Sequence, residues 1–255
     1  MTAQTDIDAS ADLLIEARRT GQPAQAGRAS LPDATTAYAV QDAVAQRSGW
    51  FADGAAQHWK SGGPSRDAVL THAPLPPAGV WASPAEARSW PFRLRGIEAE
   101  VALRLGRDVG PALAATLDSR QAAKLVDALC VSIEIVDSRW AEGLDAPALA
   151  KLADLQSHGA LVLGAWVPFE ARDWSAQVCR VQIGAQAPVE RRGSHALADP
   201  LFALPDWLRH ATRGGGSVRA GTVVTTGTWV GILHAAAGER VTAEFPGIGQ
   251  ASVQL

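Results

Sequence analysis

The chain has 255 residues, of which 47% are hydrophobic and 19% charged, with a formal net charge of −3. That length and apolar content suffice for one large packed unit with a smaller appendage, and exclude a disordered or repeat-built chain. The slight acidic balance and scattered arginines leave no electrostatic footprint for nucleic acid. Residues 1–10 hold two aspartates and no basic residue, fitting neither a secretory signal nor a transit peptide, so a cytoplasmic location is expected. The longest apolar run, residues 160–169, is about half the ~20 residues of a membrane-spanning helix, and no membrane association is expected. Cys130 and Cys179 are far apart in apolar surroundings, which predicts two buried free thiols and no disulfide or metal knuckle.

The first element is a helix carrying Leu13, Leu14 and Ala17 on one stripe and stopping at Gly21. A second opens at Pro32 and Asp33, passes through Ala37, Tyr38, Val40, Gln41 and Val44, and ends by Gly49. Residues 54–91 are dense in glycine and proline and predict loops around short strands. From Glu98 the pattern turns to period two. Ala99, Val101, Leu103 and Leu105 alternate with Glu98, Glu100, Ala102 and Arg104, the pattern of a half-buried strand with both carboxylates on one face. After Pro111 the run through Ala122, Leu125, Val126, Ala128 and Leu129 predicts a helix leading into a β-branched strand, residues 131–137, with Glu134 in its middle. Short strands follow at residues 160–163, 178–183, 223–226, 241–245 and 251–255. Few long helices separate these strands, so the expected class is α+β. It comprises a mixed, barrel-like core over residues 86–255 and a small N-terminal helical and loop portion over residues 1–85.

Three carboxylates placed mid-strand among apolar residues need a counter-charge. Glu98 and Glu100 share a face, and Glu134 from another strand could complete a set of oxygen ligands for a hard cation, Mg2+ or Mn2+. Spacing alone favours a plainer alternative, in which Glu98 and Glu100 sit on a solvated face and Glu134 pairs with Arg139 or Arg104. Lys60, among glycines beside Trp59 and flanked by His58 and His72, could meet an anionic substrate or serve in proton transfer, or be an ordinary surface lysine. The segment 225–229, with Thr228, could hold a carboxylate or be a plain turn. Asp154 and Ser157 are equally open. Signatures for dinucleotide or nucleotide binding, zinc peptidases and serine hydrolases are absent from the sequence.

Taken in order, these pieces resemble the hydratase and decarboxylase branch of the fumarylacetoacetate hydrolase superfamily. The resemblance runs through Ala37-Tyr38-Ala39-Val40-Gln41, Trp59-Lys60, Gly96-Ile97-Glu98-Ala99-Glu100 and Ile133-Glu134-Ile135-Val136-Asp137-Ser138-Arg139. It continues through Asp154, Ser157 and Thr226-Gly227-Thr228 to the glycine turns near the C-terminus. It implies a β-roll core, a homo-oligomer, and Mg2+ or Mn2+ held by Glu98, Glu100 and Glu134. It further implies Lys60 as proton donor or substrate-charge partner, and Asp154, Ser157 and Thr228 as substrate-binding residues. The implied substrate is a small 2-oxo or 2-hydroxy acid. The implied reaction is addition of water to a 2-hydroxy-2,4-dienoate through a metal-stabilised enolate, in the meta-cleavage catabolism of aromatic compounds. Alternatives are decarboxylation of a 4-oxalocrotonate-type diacid, carbon–carbon hydrolysis of an acylpyruvate, and a non-catalytic binding homologue. Two positions depart from the pattern: Ser83 stands where an acidic residue is expected, and Thr228, followed by Trp229, stands where a serine is usual.

Overall fold

The computed structural model describes residues 3–52 and 54–255. Its helices are α1 (Ala3–Thr20), α2 (Ala34–Arg47), α3 (Pro111–Ala114), α4 (Ser119–Ala123), α5 (Ala148–Ala153) and α6 (Leu204–Ala211). The first seven strands are β1 (His58–Gly62), β2 (Thr71–Pro74), β3 (Val80–Ala82), β4 (Ala85–Glu86), β5 (Gly96–Leu105), β6 (Val126–Val136) and β7 (His158–Leu163). The other seven are β8 (Val167–Pro168), β9 (Val178–Ile183), β10 (Val189–Arg192), β11 (Val223–Thr225), β12 (Leu233–His234), β13 (Arg240–Phe245) and β14 (Gly249–Gln254).

A nine-stranded mixed sheet runs in the order β2-β1-β11-β5-β6-β7-β3, with β12 on β5 and β8 on β6. A five-stranded sheet runs β10-β9-β13-β14-β4. The main core lies between them. Ala99, Val101 and Leu103 of β5 and Val131, Ile133 and Ile135 of β6 pack with Val241, Ala243, Phe245 and Val253 of the second sheet. Because side chains alternate along a strand, Glu98, Glu100 and Glu134 are turned to the other face of the large sheet. The observed class is the α+β arrangement expected, with the mixed sheet at its centre.

Two sequence expectations change. Val126, Ala128 and Leu129 belong to β6 and not to a helix, whose place is taken by the short α3 and α4. The run is buried along nearly all of its length, and a continuous apolar run has no period with which to choose between helix and strand. Nor is residue 85 a boundary between packed units: it lies inside β4, and β1, β2 and β3 belong to the same sheet as β5. Both cysteines are buried and free. No helix of the described residues is long and apolar enough to cross a membrane.

Helices α1 and α2 form a smaller core with α5 around the fully buried Trp140. Asp33 caps α2 by accepting from Thr36 N at 2.8 Å. Asp154 ties this helical layer to the sheet. Its Oδ1 accepts from Arg139 Nε at 2.6 Å and from Arg18 Nη2 of α1 at 3.0 Å, while Oδ2 accepts from Arg139 N at 2.9 Å. Removing one member of a buried ion pair strands the others, a cost of about 3–5 kcal/mol. Asp154→Ala is therefore expected to lower stability by about 3 kcal/mol in urea denaturation; a loss below about 1 kcal/mol, the worth of an exposed pair, would show that the bridge carries little.

Candidate functional site

Strands β5 and β6 set the centre of the site by their register. Glu98 stands directly opposite Glu134, and Glu100 opposite Ser132. Like charges opposed across a ladder repel, and these are shielded from water: Glu100 is 2% exposed and Glu134 is 0% exposed. One oxygen from each of the three carboxylates can be chosen so that all lie within 4.8 Å of one another. Lys60 on β1 reaches the same point, donating from Nζ to Glu134 Oε1 at 2.5 Å and to the Gln156 carbonyl at 3.2 Å. His158 Nδ1 meets the same Oε1 at 3.0 Å, whereas Glu134 Oε2 is buried without a hydrogen-bond partner among the described residues. Glu100 Oε2 accepts from the Thr225 hydroxyl, whose oxygen is 2.8 Å from Ser132 Oγ.

Electrostatics follow from this crowding. Burial, then Glu100 and Glu134, push the Glu98 carboxyl up to about 8; burial, then Glu134, push Glu100 up to about 7. Burial raises Glu134 as well, but Lys60 and His158 outweigh it and hold that carboxyl below its usual value. Burial lowers the Lys60 ammonium, yet Glu134, Glu98 and Glu100 more than reverse this and raise it. With all three carboxylates ionised, as a cation's ligands would be, the one ammonium leaves a charge of −2. An all-oxygen donor set with that deficit, and an unpartnered buried oxygen on Glu134, fits a hard divalent cation.

The site opens into a cleft of about 350 Å3 that Lys60, Glu98, Glu100, Ser157 and Thr228 line together. Ser157 comes from an unusual backbone. Leu155, Gln156 and Ser157 have φ of 53°, 56° and 60°, three successive side-chain-bearing residues in the left-handed region, at roughly 1–2 kcal/mol each. Ser157 N donates to Asp154 O at 2.9 Å, and Asp137 N to Ser157 O at 2.9 Å, which hold the turn in place. Its effect is to aim the Gln156 carbonyl at Lys60 and leave Ser157 Oγ buried beside the cleft without a partner. Gly227, at φ 110°, brings its N–H to Glu100, where any side chain would be strained.

Other expected positions fall elsewhere. Asp154 does not line the cleft; its carboxylate is taken up by Arg139 and Arg18. The alternative pairing of Glu134 with Arg139 or Arg104 is not found, since Arg104 pairs with Asp127 and Arg139 with Asp154. Thr228 Oγ1 is engaged locally, donating to Gly231 O at 2.8 Å. His58 and His72 lie outside the cleft, His72 Nδ1 meeting Ser61 Oγ at 2.9 Å. Ser83 is also outside it, its Oγ accepting from Ser252 N at 2.8 Å. Sequence reasoning passes over His158 and His195. His195 lines the cleft as a neutral imidazole, with Nε2 donating to Thr226 O at 2.8 Å and Nδ1 accepting from Leu197 N at 3.2 Å. Neither has a metal-binding spacing in the sequence to mark it. Lys151 also lines the cleft; its Nζ donates to the Leu144 carbonyl at 3.1 Å and has no carboxylate partner among the described residues.

The raised carboxyls predict a pH dependence of stability. Folded Glu98 and Glu100 keep protons that the unfolded chain releases above pH 4.5, so both remove stability as pH rises through 7 and 8. His72, held down to about 4, and His210, held down to about 3, act oppositely, but only below their ordinary value of 6.5. In EDTA the melting temperature should therefore fall between pH 6.5 and about 8.5, and added Mg2+ should flatten the fall. A melting temperature that holds or rises across that window in EDTA would mean the carboxylates are not forced together.

The family model for the fumarylacetoacetate (FAA) hydrolase C-terminal domain matches residues 55–255. A 2-keto-4-pentenoate hydratase 1 from Dechloromonas aromatica (strain RCB) is 33% identical over 162 residues, covering 61% of this chain and 58% of that protein. The match thus spans little more than half of that relative's length. A 2-keto-4-pentenoate hydratase from Paraburkholderia phymatum is 29% identical over 264 residues, covering 98% and 97% of the two chains. Among solved structures, 4-oxalocrotonate decarboxylase from Pseudomonas putida G7, complexed with magnesium and adipate, shares the fold with a TM-score of 0.82. Its identity is 18%, and the match covers 100% of this chain and 98% of that one.

Proposed function

The chain belongs to the fumarylacetoacetate hydrolase family, and from that premise we propose that it is a lyase, a divalent-metal-dependent hydratase of a small 2-hydroxy-2,4-dienoate. The observation that carries the reading is the convergence of Glu98, Glu100 and the buried Glu134 with Lys60, at the wall of a cleft that Lys60, Glu98 and Glu100 line. Glu98, Glu100 and Glu134 would hold Mg2+ or Mn2+. A cation there supplies a Lewis acid that stabilises negative charge developing on the substrate's 2-oxygen.

The protein's own groups supply the rest. Lys60, kept charged by three carboxylates, carries a proton at Nζ for delivery to the far carbon of the dienol as the 2-hydroxyl releases its own proton to solvent, which gives an unsaturated 2-oxo acid. Water then adds at the β-carbon of that ketone. Ser157 Oγ, with no partner inside the protein, offers a hydrogen bond to the bound acid, and Thr228 lies on the same wall. Asp154 acts at one remove: it ends α5 directly before the left-handed turn and ties that point to Arg139, just past the end of β6. Homologues named as hydratases support the reaction, and the decarboxylase with adipate supports an acid ligand. The reading includes a homo-oligomer working in the cytoplasm.

One observation favours the diacid alternative. Lys151 gives the cleft a second cation that is free of any carboxylate among the described residues, placed to meet a second carboxylate on the substrate.

With Mg2+ or Mn2+, the protein should bleach the ultraviolet absorbance of 2-hydroxypenta-2,4-dienoate; no consumption of any hydroxydienoate would refute the reading. Lys60→Met should lower kcat by about 100-fold or more, the worth of a positioned proton donor, with circular dichroism unchanged. Unchanged turnover in that variant would remove Lys60 from the chemistry. If the diacid reading holds, carbon dioxide should be released from a 2-oxo diacid, and Lys151→Met should raise KM for the diacid by about tenfold without affecting the monoacid. Equal effects on both acids would contradict it.

A further inference from the structure

Glu134 stands between two cavities. Its Oε1 receives Lys60, which lines the cleft, and His158, which lines a second cavity of about 760 Å3, roughly twice the volume of the first. This second space is enclosed by the end of α1, the loop carrying Trp50, the prolines before β3, and residues 90–93 and 137–139. It shares no lining residue with the cleft. Its size falls within the range of small-molecule pockets, about 300–1,000 Å3, and its walls have their composition: aromatic and proline surface with a few convergent charges.

The charges can be tallied from their partners. Arg19 is matched outside the cavity by Glu16, and Arg18 and Arg139 share Asp154. The Asp137 carboxylate is taken by the backbone N–H groups of Arg93, Leu94 and Ser138. The Arg93 guanidinium, in turn, is bonded among the described residues only to the carbonyls of Ser138 and Trp140, at 2.8 and 3.0 Å. Arg18, Arg93 and Arg139 against Asp137 and Asp154 leave one positive charge on this wall. Two buried nitrogens on cavity-lining residues, Arg18 Nε and His158 Nε2, have no hydrogen-bond partner among the described residues. The Trp50 ring already lies against a cation, with the Arg18 guanidinium 5.2 Å from its centroid. Trp90 offers a second aromatic surface, braced edge-on by Trp81 with ring centroids 5.1 Å apart.

We propose that this second cavity is a binding site for a small monocarboxylate with a flat apolar body, its carboxylate held by Arg93 and Arg18 and its body against Trp50, Trp90 and the neighbouring prolines. One surplus positive charge matches one carboxylate, and the aromatic walls favour a planar or unsaturated skeleton over a branched one. A ligand there would touch His158 and so lie one hydrogen bond from the glutamate that Lys60 grips. The site is independent of which reaction the cleft performs.

The test uses the full chain with benzoate and 4-bromobenzoate as probes. Crystals soaked in 4-bromobenzoate should show anomalous bromine density between α1 and residues 90–93. Calorimetry should give one benzoate per chain, weakened at least about tenfold by Arg93→Gln, the worth of one charge-assisted hydrogen bond. Ala78→Trp, which plugs the space and removes no side-chain hydrogen bond, should abolish binding while leaving the fold intact by circular dichroism. Bromine confined to the first cleft, no heat of binding, an affinity unmoved by both variants, or a cavity filled by residues of a second copy of the chain would each overturn the proposal.

Discussion

Two glutamates facing each other across a buried ladder, with a third beside them, form the constraint on which this molecule turns. Glu98 opposes Glu134 in the register of β5 and β6, and Glu100 lies one step along the same face. A sheet optimised for stability would not place like charges there. The surrounding structure compensates in part: Lys60 is brought across from β1, the Thr225 hydroxyl and the Gly227 N–H are turned to Glu100, and His158 is turned to Glu134. With all three carboxylates ionised, the compensation stops short by two charges, and one buried oxygen of Glu134 has no hydrogen-bond partner among the described residues. That deficit fits a divalent cation, which is why the proposed chemistry starts from the carboxylates and not from the cleft's outline.

The remaining architecture keeps that face rigid. One side of β5 and β6 is packed against the second sheet, so the glutamates are anchored by the alternation of the strands and not by loop contacts. The left-handed turn at Leu155, Gln156 and Ser157 is the second anchored element, and it stores strain that its hydrogen bonds to Asp154 and Asp137 offset. Asp154 links that turn to α1 through Arg18, so the helical layer braces the rear of the site. The same brace leaves a second cavity between α1 and the sheet, with Glu134 and His158 forming the partition.

Much of this is legible in the amino-acid order, for physical reasons. The alternation from Glu98 to Leu105 places both carboxylates on one face because a strand has a fixed period of two, and the structure keeps that placement. Glu134 sits among β-branched residues that read directly as strand. By contrast, β6 starts earlier than its sequence suggests, because a run buried on both faces has no period to read. Spacing cannot tell that Glu134 meets Lys60 and not Arg139, since that contact joins residues 74 apart in the chain. Asp154 shows the same limit: the residues around it leave its role open, the resemblance makes it a substrate ligand, and only the fold reveals its two arginines. His158 and His195 carry no local pattern, because their roles come from strand pairing and from one loop folding back on Thr226.

The central claim is that Glu98, Glu100 and Glu134 together hold one divalent cation. A crystal grown with Mn2+ and measured at the manganese absorption edge tests it most directly. The account predicts one anomalous peak per chain, about 2.2 Å from an oxygen of each of the three carboxylates, the distance for a small hard cation. No peak there, with Lys60 still bound to Glu134, or a peak held by other side chains, would contradict it.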